Sequence, residues 1–577
     1  MRVIIFFLCL FSEVSAINIL LFLIGTTHFE RGVFEYLAQQ LALRNHYTVT
    51  VKPILIPEES RLVKQKLHLV HEKTLNNLLP RHLFEPLEAI GNDFPWRRGY
   101  ETEQHLFPYY AAHVHACKKM LNSNLMETLK KDQIDVAIVY AGNPCQLAIV
   151  HALHIPFIYF DVEGFTDETR VASGTPLNAD IPPSQCHPPT SPVIQRIANG
   201  LCILREYAAQ SGFSWLASRV SERYARMDGP IGRLFVEDYE LKKKFPNFPD
   251  VNEIKQNAEL YFINSDRLIE YEHALLPHVI PIAGLHIDQV KPLFHPWNTS
   301  IASAEKGTIV VSLGTQANSS SMTLHQARSI LGALSRLTAY RIYWRIGPTL
   351  YIPGVNLDHI PSYINVTSFI PQNDLLADRR TRLLITNGGM QSIIEAIVHG
   401  VPIVGIPLYG TNRQNLDKVY SKGFGLIVTK DRLSESTLYT AIKEVLESSK
   451  YKTVAKNMAR EWKGRPQNAF QTALHYIEHV GRHRRALFIG VPHRSMHWAR
   501  MMNIDLLAVL FLAATAPLLL AYRLVATSIT ASYRYKGELQ NSCGSRKPIG
   551  DLKESDSAEG CQFGTKQNGR SQPSSRN

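Results

Sequence analysis

The chain has 577 residues and is 45% hydrophobic, 9% aromatic and 19% charged. That composition excludes disordered, collagen-like and disulfide-scaffold proteins and fits two large α/β domains of roughly 200 to 250 residues each. The net charge is +12, but Lys and Arg are scattered, with local clusters at Lys242, Lys243 and Lys244 and at Arg482, Arg484 and Arg485, so no nucleic-acid partner is expected.

Residues 1–16 read as a secretory signal peptide: Arg2, an apolar run over 3–11, and the small-x-small cleavage sequence Val14-Ser15-Ala16. Residues 17–24 form a short all-apolar strand, followed by the loop Gly25-Thr26-Thr27-His28 and by Val33, Phe34, Leu37, Ala38 and Leu41 at helical spacing. Further strands are expected at 47–51, 135–139 and 156–160. This strand, loop, helix order predicts a parallel sheet covered by helices over residues 17–284. Residues 186–252 read as a helical, Pro-interrupted insertion that shapes a pocket.

Gly284-Leu285-His286 and the Pro- and Asn-containing stretch 291–298 mark a linker, taken as 285–300, ahead of a second α/β domain over 301–480. Strands are predicted at 308–313, 341–346, 364–369, 383–386, 403–406 and 425–428, with helices over 321–337, 391–399 and 462–479. Two facing doubly wound sheets place a ligand in the crevice at their strand C-terminal ends. A juxtamembrane segment, 481–503, leads to the apolar stretch 504–522, long enough to span a bilayer. Basic residues flank it on both sides, so the signal peptide sets the orientation: a lumenal N-terminal part and a cytosolic tail, 523–577, expected to be disordered because it is polar and poor in aliphatic residues.

Three N-x-[ST] sequons, Asn298, Asn318 and Asn365, fall in the part expected to be lumenal. Of seven cysteines, Cys9 is in the signal and Cys543 and Cys561 are in the tail. Cys117, Cys145, Cys186 and Cys202 remain in an oxidising lumen, where three pairings are open. No Cys/His spacing points to zinc.

The densest chemical signal is the block 369–425. The strand 383–386 feeds Asn387-Gly388-Gly389, and a helix begins at once. Glycines there admit backbone N–H groups to an anion and the helix N-terminus favours negative charge, so a diphosphate fits this place, with Glu395 one turn on to reach ribose hydroxyls. Ordinary turn chemistry is the plainer reading of the Gly-Gly pair alone.

Taken whole, the block resembles the signature of the UDP-glycosyltransferase family, especially the membrane-bound animal UDP-glucuronosyltransferases. The resemblance rests on Pro371-Gln372-Asn373-Asp374-Leu375-Leu376, Thr386-Asn387-Gly388-Gly389, Glu395-Ala396-Ile397 with His399-Gly400, and Val404-Gly405-Ile406-Pro407-Leu408. It extends to Val311-Ser312-Leu313-Gly314-Thr315, Trp344-Arg345, Leu275-Leu276-Pro277 and Gly284-Leu285-His286. It implies two facing Rossmann-like domains of the GT-B type plus a single C-terminal transmembrane helix, the second domain holding the UDP-sugar and the first a small lipophilic acceptor. It further implies that Phe369 stacks on uracil, Gln372 bonds the base, Ser312, Thr315, Asn387, Gly388, Gly389 and Ser392 lie against the phosphates, Glu395 meets the ribose, and Thr411 and Asn412 meet the sugar. His28 falls where the family carries its general base, which takes the acceptor proton during inverting transfer. A surface-loop histidine and ordinary cap or turn residues are the plainer readings of these positions.

The implied activity is transfer of a glucuronosyl or glucosyl group to an acceptor hydroxyl or carboxyl, as in detoxification. The UDP-sugar is a co-substrate, no cofactor or metal is expected, and assembly with itself or with related transferases is left open. The expected location is a single-pass type I membrane protein of the endoplasmic reticulum with a lumenal catalytic part.

Three positions depart from the family pattern. Tyr140 stands where an Asp orients the base, Asn387 where a His meets phosphate, and Thr411-Asn412 where an Asp-Gln pair holds the sugar. Glu30, Asp161 or Glu163 are candidates for the missing carboxylate, and Arg345 or Arg413 for the missing positive charge. Two alternatives follow: a pseudoenzyme that binds UDP-sugar or partners an active relative, and a metal-dependent transferase using Asp161-Val162-Glu163 as a ligand pair.

Overall fold

The computed structural model describes residues 16–23, 28–55, 69–97, 107–181, 192–209, 228–272, 275–287, 289–302, 304–315, 317–347, 350–486, 489 and 504–543. The expected signal peptide up to residue 15, the loop Gly25-Thr26-Thr27, Cys186, the segment 490–503 and residues beyond Cys543 lie outside these residues.

Residues 1–498 form one compact unit, built on two parallel sheets. The first has β1 (Asn18–Phe22), β2 (Tyr47–Pro53), β3 (His71–Leu75), β4 (Val136–Tyr140), β5 (Phe157–Asp161), β6 (Leu260–Ile263) and β7 (Val279–Pro281), in the order β3-β2-β1-β4-β5-β6-β7. The second has β8 (Thr308–Ser312), β9 (Arg341–Arg345), β10 (Ile364–Thr367), β11 (Thr381–Thr386), β12 (Ile403–Gly405) and β13 (Gly425–Ile427), in the order β10-β9-β8-β11-β12-β13. Each order reverses once, between β1 and β4 and between β8 and β11, and those two switch points are where a doubly wound fold opens a crevice.

Helices cover both faces of each sheet, which is why the inner strands are continuous apolar runs. Ile19 and Leu21 of β1 share a core with Ile138, Phe160 and Phe262, while Leu20 and Phe22 face the opposite layer with Val49, Val139 and Tyr159. In the second sheet Val311, Trp344 and Ile385 face one layer and Val310, Tyr343 and Leu384 the other. The sequence pattern misses β3, β6 and β7. β3 is a polar edge strand, and β6 and β7 have four and three residues, too short to show a period.

The helix predicted over 462–479 is two helices. Ser449–Lys463 ends at Gly464, and a new helix, Ala469–His483, starts at Asn468, whose side chain forms a capping box with Gln471. The second of these covers the first sheet: Ala473, Ile477 and Val480 pack with Ile19 and Leu21, and its Glu478 lies 3.2 Å from His46. Cys117 and Cys145 form a disulfide, selecting one pairing from the open set. Cys202 is disulfide-bonded as well, to a partner outside the described residues.

A dry charge cluster joins the two halves. The Glu270 carboxylate accepts from Lys418 Nζ at 2.6 Å and from Arg170 Nη2 at 3.0 Å, and all three side chains are buried. Burial alone would raise the Glu270 carboxyl, but the Lys418 and Arg170 cations overcome it and hold it below the usual range. For Lys418 burial is the largest effect, outweighing Glu270 and the weaker pull of Asp167 while Arg170 opposes them, so its pKa falls.

Residues 499–577 form a separate unit. Its helix, Ile504–Cys543, contains a stretch, Ile504–Glu538, long and apolar enough to cross a membrane. The helix runs on beyond residue 522, the end of the apolar stretch. Thr527, Ser528 and Thr530 return their hydroxyls to helix carbonyls, so polar residues continue the helix rather than end it.

Removing Glu270 leaves two buried cations unmatched. Glu270→Ala is expected to lower the stability of the purified protein by about 3–5 kcal/mol. Breaking the exposed Lys443–Glu447 pair with Lys443→Ala is expected to change it by less than about 0.5 kcal/mol. Thermal unfolding of both variants checks the contrast.

Candidate active site

The anion cradle is built by three strand ends of the second sheet. β8 ends at buried Ser312, and Gly314 follows at φ +89°. A Cβ on Gly314 would come 2.7 Å from Asn387 Nδ2, so glycine is what lets the two loops touch. β11 delivers buried Asn387, whose Nδ2 donates to Asn412 Oδ1 at 3.1 Å. Gly388 follows at φ +94°, where a Cβ would lie 2.5 Å from Leu416. Gly389 then opens the helix Met390–His399 with no side-chain cap, leaving its first N–H groups directed at the crevice.

Arg345, the last residue of β9, is half-buried and donates from Nη1 to the Gly314 carbonyl at 3.2 Å. Burial lowers its pKa, and none of the described carboxylates pairs with it. Arg413, the other candidate for the missing charge, donates from its Nε to the Asp417 oxygens at 2.9 and 3.1 Å. The structure therefore brings Arg345 to the Gly314 loop, which in turn lies against Asn387. Thr315 is exposed beside this loop.

Next to the cradle, Gln372 Nε2 donates to Ser392 Oγ at 3.0 Å and to Glu395 Oε2 at 2.7 Å. Phe369 is 63% exposed just before them, a ring with a free face. Burial pushes the Glu395 carboxyl up to about 7, against the Gln372 hydrogen bond and with a smaller push from Asp374. His286 Nε2 lies 3.9 Å from Glu395 Oε1. Burial brings that imidazole down to about 4, so at neutral pH the contact is not an ion pair. His286 was visible as a motif residue, but no pattern in the chain linked it to Glu395, more than a hundred positions on.

Facing the cradle is the first sheet's switch point. His28 opens the helix His28–Ala42, though its side chain, like that of Glu30, is outside the described residues. Tyr140 ends β4, largely buried, with its hydroxyl 3.5 Å from Glu163 Oε1. Glu163 Oε2 accepts from Thr411 Oγ1 of the second half at 3.3 Å. Asp161 has another job: its oxygens accept from the Glu163 N–H, the Thr166 N–H and hydroxyl, and the Thr169 hydroxyl at 2.6–3.1 Å. It clamps a turn, so Asp161 and Glu163 do not converge as a ligand pair, and of the two only Glu163 reaches Tyr140. The structure thus gathers Ser312, Asn387, Gly388, Gly389 and Asn412 at one end of the crevice, Gln372, Ser392 and Glu395 at another, and Thr411 opposite Tyr140.

A family model described as UDP-glucoronosyl and UDP-glucosyl transferase matches residues 97–537. The chain is 26% identical over 517 residues to UDP-glucuronosyltransferase 2B13 of Oryctolagus cuniculus, covering 87% of this chain and 91% of that one. It is 26% identical over 524 residues to UDP-glucuronosyltransferase 2B15 of Homo sapiens, with the same coverage, and 29% identical over 370 residues to UDP-glucuronosyltransferase 3A1 of Xenopus laevis, covering 63% and 66%. Among solved structures, a UDP-glucosyltransferase from Polygonum tinctorium in complex with 3,4-dichloroaniline matches with a TM-score of 0.55 and 14% identity, over 82% of this chain and all of that one. The glycotransferase of kitacinnamycin matches with a TM-score of 0.53 and 14% identity, over 80% and 99%. These likenesses show the GT-B fold, two facing Rossmann-like domains, and with the family match over most of the chain they establish that this protein belongs to the UDP-glucoronosyl and UDP-glucosyl transferase family and is a UDP-glycosyltransferase.

Proposed function

We propose that the enzyme transfers a hexosyl group, glucosyl or glucuronosyl, from its UDP-sugar to a hydroxyl or carboxyl of a small lipophilic acceptor, with inversion at the anomeric carbon. The observation that carries this reading is the meeting of strand C-terminal ends from both sheets, where Thr411, after β12, lies 3.3 Å from Glu163, after β5, next to the uncapped helix Met390–His399 that follows β11.

In this reading Phe369 stacks on uracil and Gln372 bonds its edge, while Glu395 accepts from ribose hydroxyls. The diphosphate rests against Ser312, Thr315, Gly388, Gly389 and Ser392. The acceptor binds in the first half, within 17–284. His28 takes the acceptor proton as the acceptor oxygen bonds to the anomeric carbon; the bond from that carbon to the diphosphate oxygen breaks, and UDP leaves with the electron pair. The helix N–H groups and the Arg345 guanidinium meet the charge that develops on the leaving diphosphate, Arg345 replacing the cation that Asn387 does not provide. The Cys117–Cys145 disulfide supports a lumenal location in the secretory pathway, with the helix Ile504–Cys543 as anchor and the endoplasmic reticulum as the compartment.

A mass-spectrometric product scan tests the reading. Membranes containing the enzyme are given a mixed lipophilic acceptor panel with UDP-glucuronic acid, UDP-glucose and UDP-N-acetylglucosamine together. A product bearing an added hexosyl mass is expected, and its rate is expected to fall by roughly a hundredfold or more in His28→Ala. A folded protein that binds UDP and yields no product would replace this reading with the pseudoenzyme. Arg345→Gln is expected to weaken UDP binding about tenfold, the loss of one hydrogen bond to a charged group, while Arg413→Gln leaves it within about twofold; calorimetry with UDP separates the two.

Glu395 supplies a pH test. Its carboxyl keeps its proton up to about 7 when folded, against an ordinary value of 4.5, so between those pH values the folded state binds more protons than the unfolded chain. The stability linked to the neutral form is full below 4.5 and is lost as pH rises through about 7. Glu395→Gln keeps a neutral polar group and removes that loss. The variant is therefore expected to gain on the wild type by on the order of 2 kcal/mol between pH 5 and pH 8, read from thermal unfolding without UDP.

A further inference from the structure

Glu163 is a carboxylate that touches two of the three places where the family pattern breaks, Tyr140 and Thr411. Its Oε1 faces the Tyr140 hydroxyl at 3.5 Å and its Oε2 accepts from Thr411 Oγ1 at 3.3 Å. The side chain is held on a constrained turn. Asp161 Oδ1 accepts the Glu163 N–H at 3.1 Å, and Asn415 Nδ2 approaches the Glu163 carbonyl at 3.5 Å. Gly164 follows at φ +134°, where a Cβ would come 2.9 Å from Met390 Cε. A backbone fixed from both sides leaves the carboxylate aimed across the crevice at Thr411.

We infer that Glu163 determines donor specificity: it accepts hydrogen bonds from hydroxyls of the donor sugar, supplying from the first sheet the charged acceptor that Thr411 does not supply from the second, and so selects an uncharged hexose over a uronic acid. This rests on the reading above, in which Thr411 and Asn412 face the sugar. An ionised carboxylate has only acceptors. Hexose hydroxyls supply donors to it, whereas the carboxylate of a uronic acid presents more acceptors and a like charge. Of the nearby cations, Lys418 is held by Glu270, Arg345 sits at the Gly314 loop, and Arg413 gives its Nε to Asp417.

The test uses the full-length enzyme in detergent and its His28→Ala form, titrated calorimetrically with UDP, UDP-glucose and UDP-glucuronic acid. UDP-glucose is expected to bind at least about tenfold more tightly than UDP-glucuronic acid, and Glu163→Gln to shrink that ratio at least about tenfold while affinity for UDP alone stays within about twofold. Glu163→Asp, which keeps the charge, is expected to retain a preference of the same sign. A wild-type preference for UDP-glucuronic acid, or a ratio unchanged in a Glu163→Gln protein that still binds UDP, overturns the inference. Should Glu163→Gln fail to fold, the wild-type ratio and the Glu163→Asp ratio still decide it. Because binding is read without turnover, a glucose preference with no product anywhere would defeat the transfer reading and leave the role of Glu163 standing. Product formation with the opposite preference would do the reverse.

Discussion

The shared carboxylate of Glu270 is the contact on which the crevice depends. Arg170 lies in the helix Asp167–Ala172, whose start is clamped by Asp161 through Thr166 and Thr169, and Glu163 sits on the turn just before it. Lys418 lies in the helix Asn412–Lys422, whose N-cap is Thr411. One carboxylate therefore ties together the two short helices whose leading ends present Glu163 and Thr411 to each other. A buried ionic cluster of this kind adds little net stability over a well-packed apolar one, because desolvation offsets most of the attraction. Its geometry is strict, however: hydrogen-bonded charges admit one arrangement where apolar side chains admit several, and a transferase cleft needs one.

Covalent crossings reinforce that arrangement at the opposite edge. The chain leaves the first sheet through Ala283 and Gly284 and returns to it after Gly464, and the two passages are packed together. Gly284 takes φ +88°, with room for no Cβ against Trp462. Arg465 lies 3.3 Å over the Trp462 ring, donates to the Ala283 carbonyl and pairs with Asp266. The final helix of this unit, Ala469–His483, then covers the first sheet with Ala473, Ile477 and Val480. The second half is thus held to the first by two passages of chain and a buried ion cluster, which flank the crevice that the proposed reading assigns to the ligand.

Much of this was legible because parallel strands buried on both faces appear as plain apolar runs, and because glycines mark the turns at Gly314, Gly388 and Gly389. What stayed hidden has physical causes. β3 shows no hydrophobic period because it is an edge strand, and β6 and β7 are shorter than any period. The break after Lys463 was readable in Gly464, Pro466 and the Asn468 cap, but the flanking helical runs masked it. Arg413 and Asp417 stand four apart on one helix face, a pairing the sequence already contains, whereas Arg345 and Gly314 meet only because β9 and β8 are neighbours. The pairing of Cys117 with Cys145 and the approach of His286 to Glu395 depend likewise on strand order, which spacing does not encode.

Strand order also explains how the family's missing charges can be moved rather than lost. The crevice is lined by the C-terminal ends of several adjacent strands, so a side chain on one strand end reaches the same volume as a side chain on its neighbour. Arg345, at the end of β9, comes to the loop that follows β8 and so to Asn387 of β11. Glu163, just past β5, comes to Tyr140 at the end of β4 and, across the crevice, to Thr411. In the proposed reading each departure is matched by a residue of the needed charge on another strand end, one strand away for Tyr140, two for Asn387 and on the facing sheet for Thr411, and a carboxylate shared between Tyr140 and Thr411 stands where the family uses two. The consequence falls on the sugar rather than on the nucleotide. The cradle keeps its glycines, its helix end and a cation, while the side facing the hexose exchanges an acidic residue on the second sheet for one on the first, approaching the sugar from the other side and therefore meeting different hydroxyls.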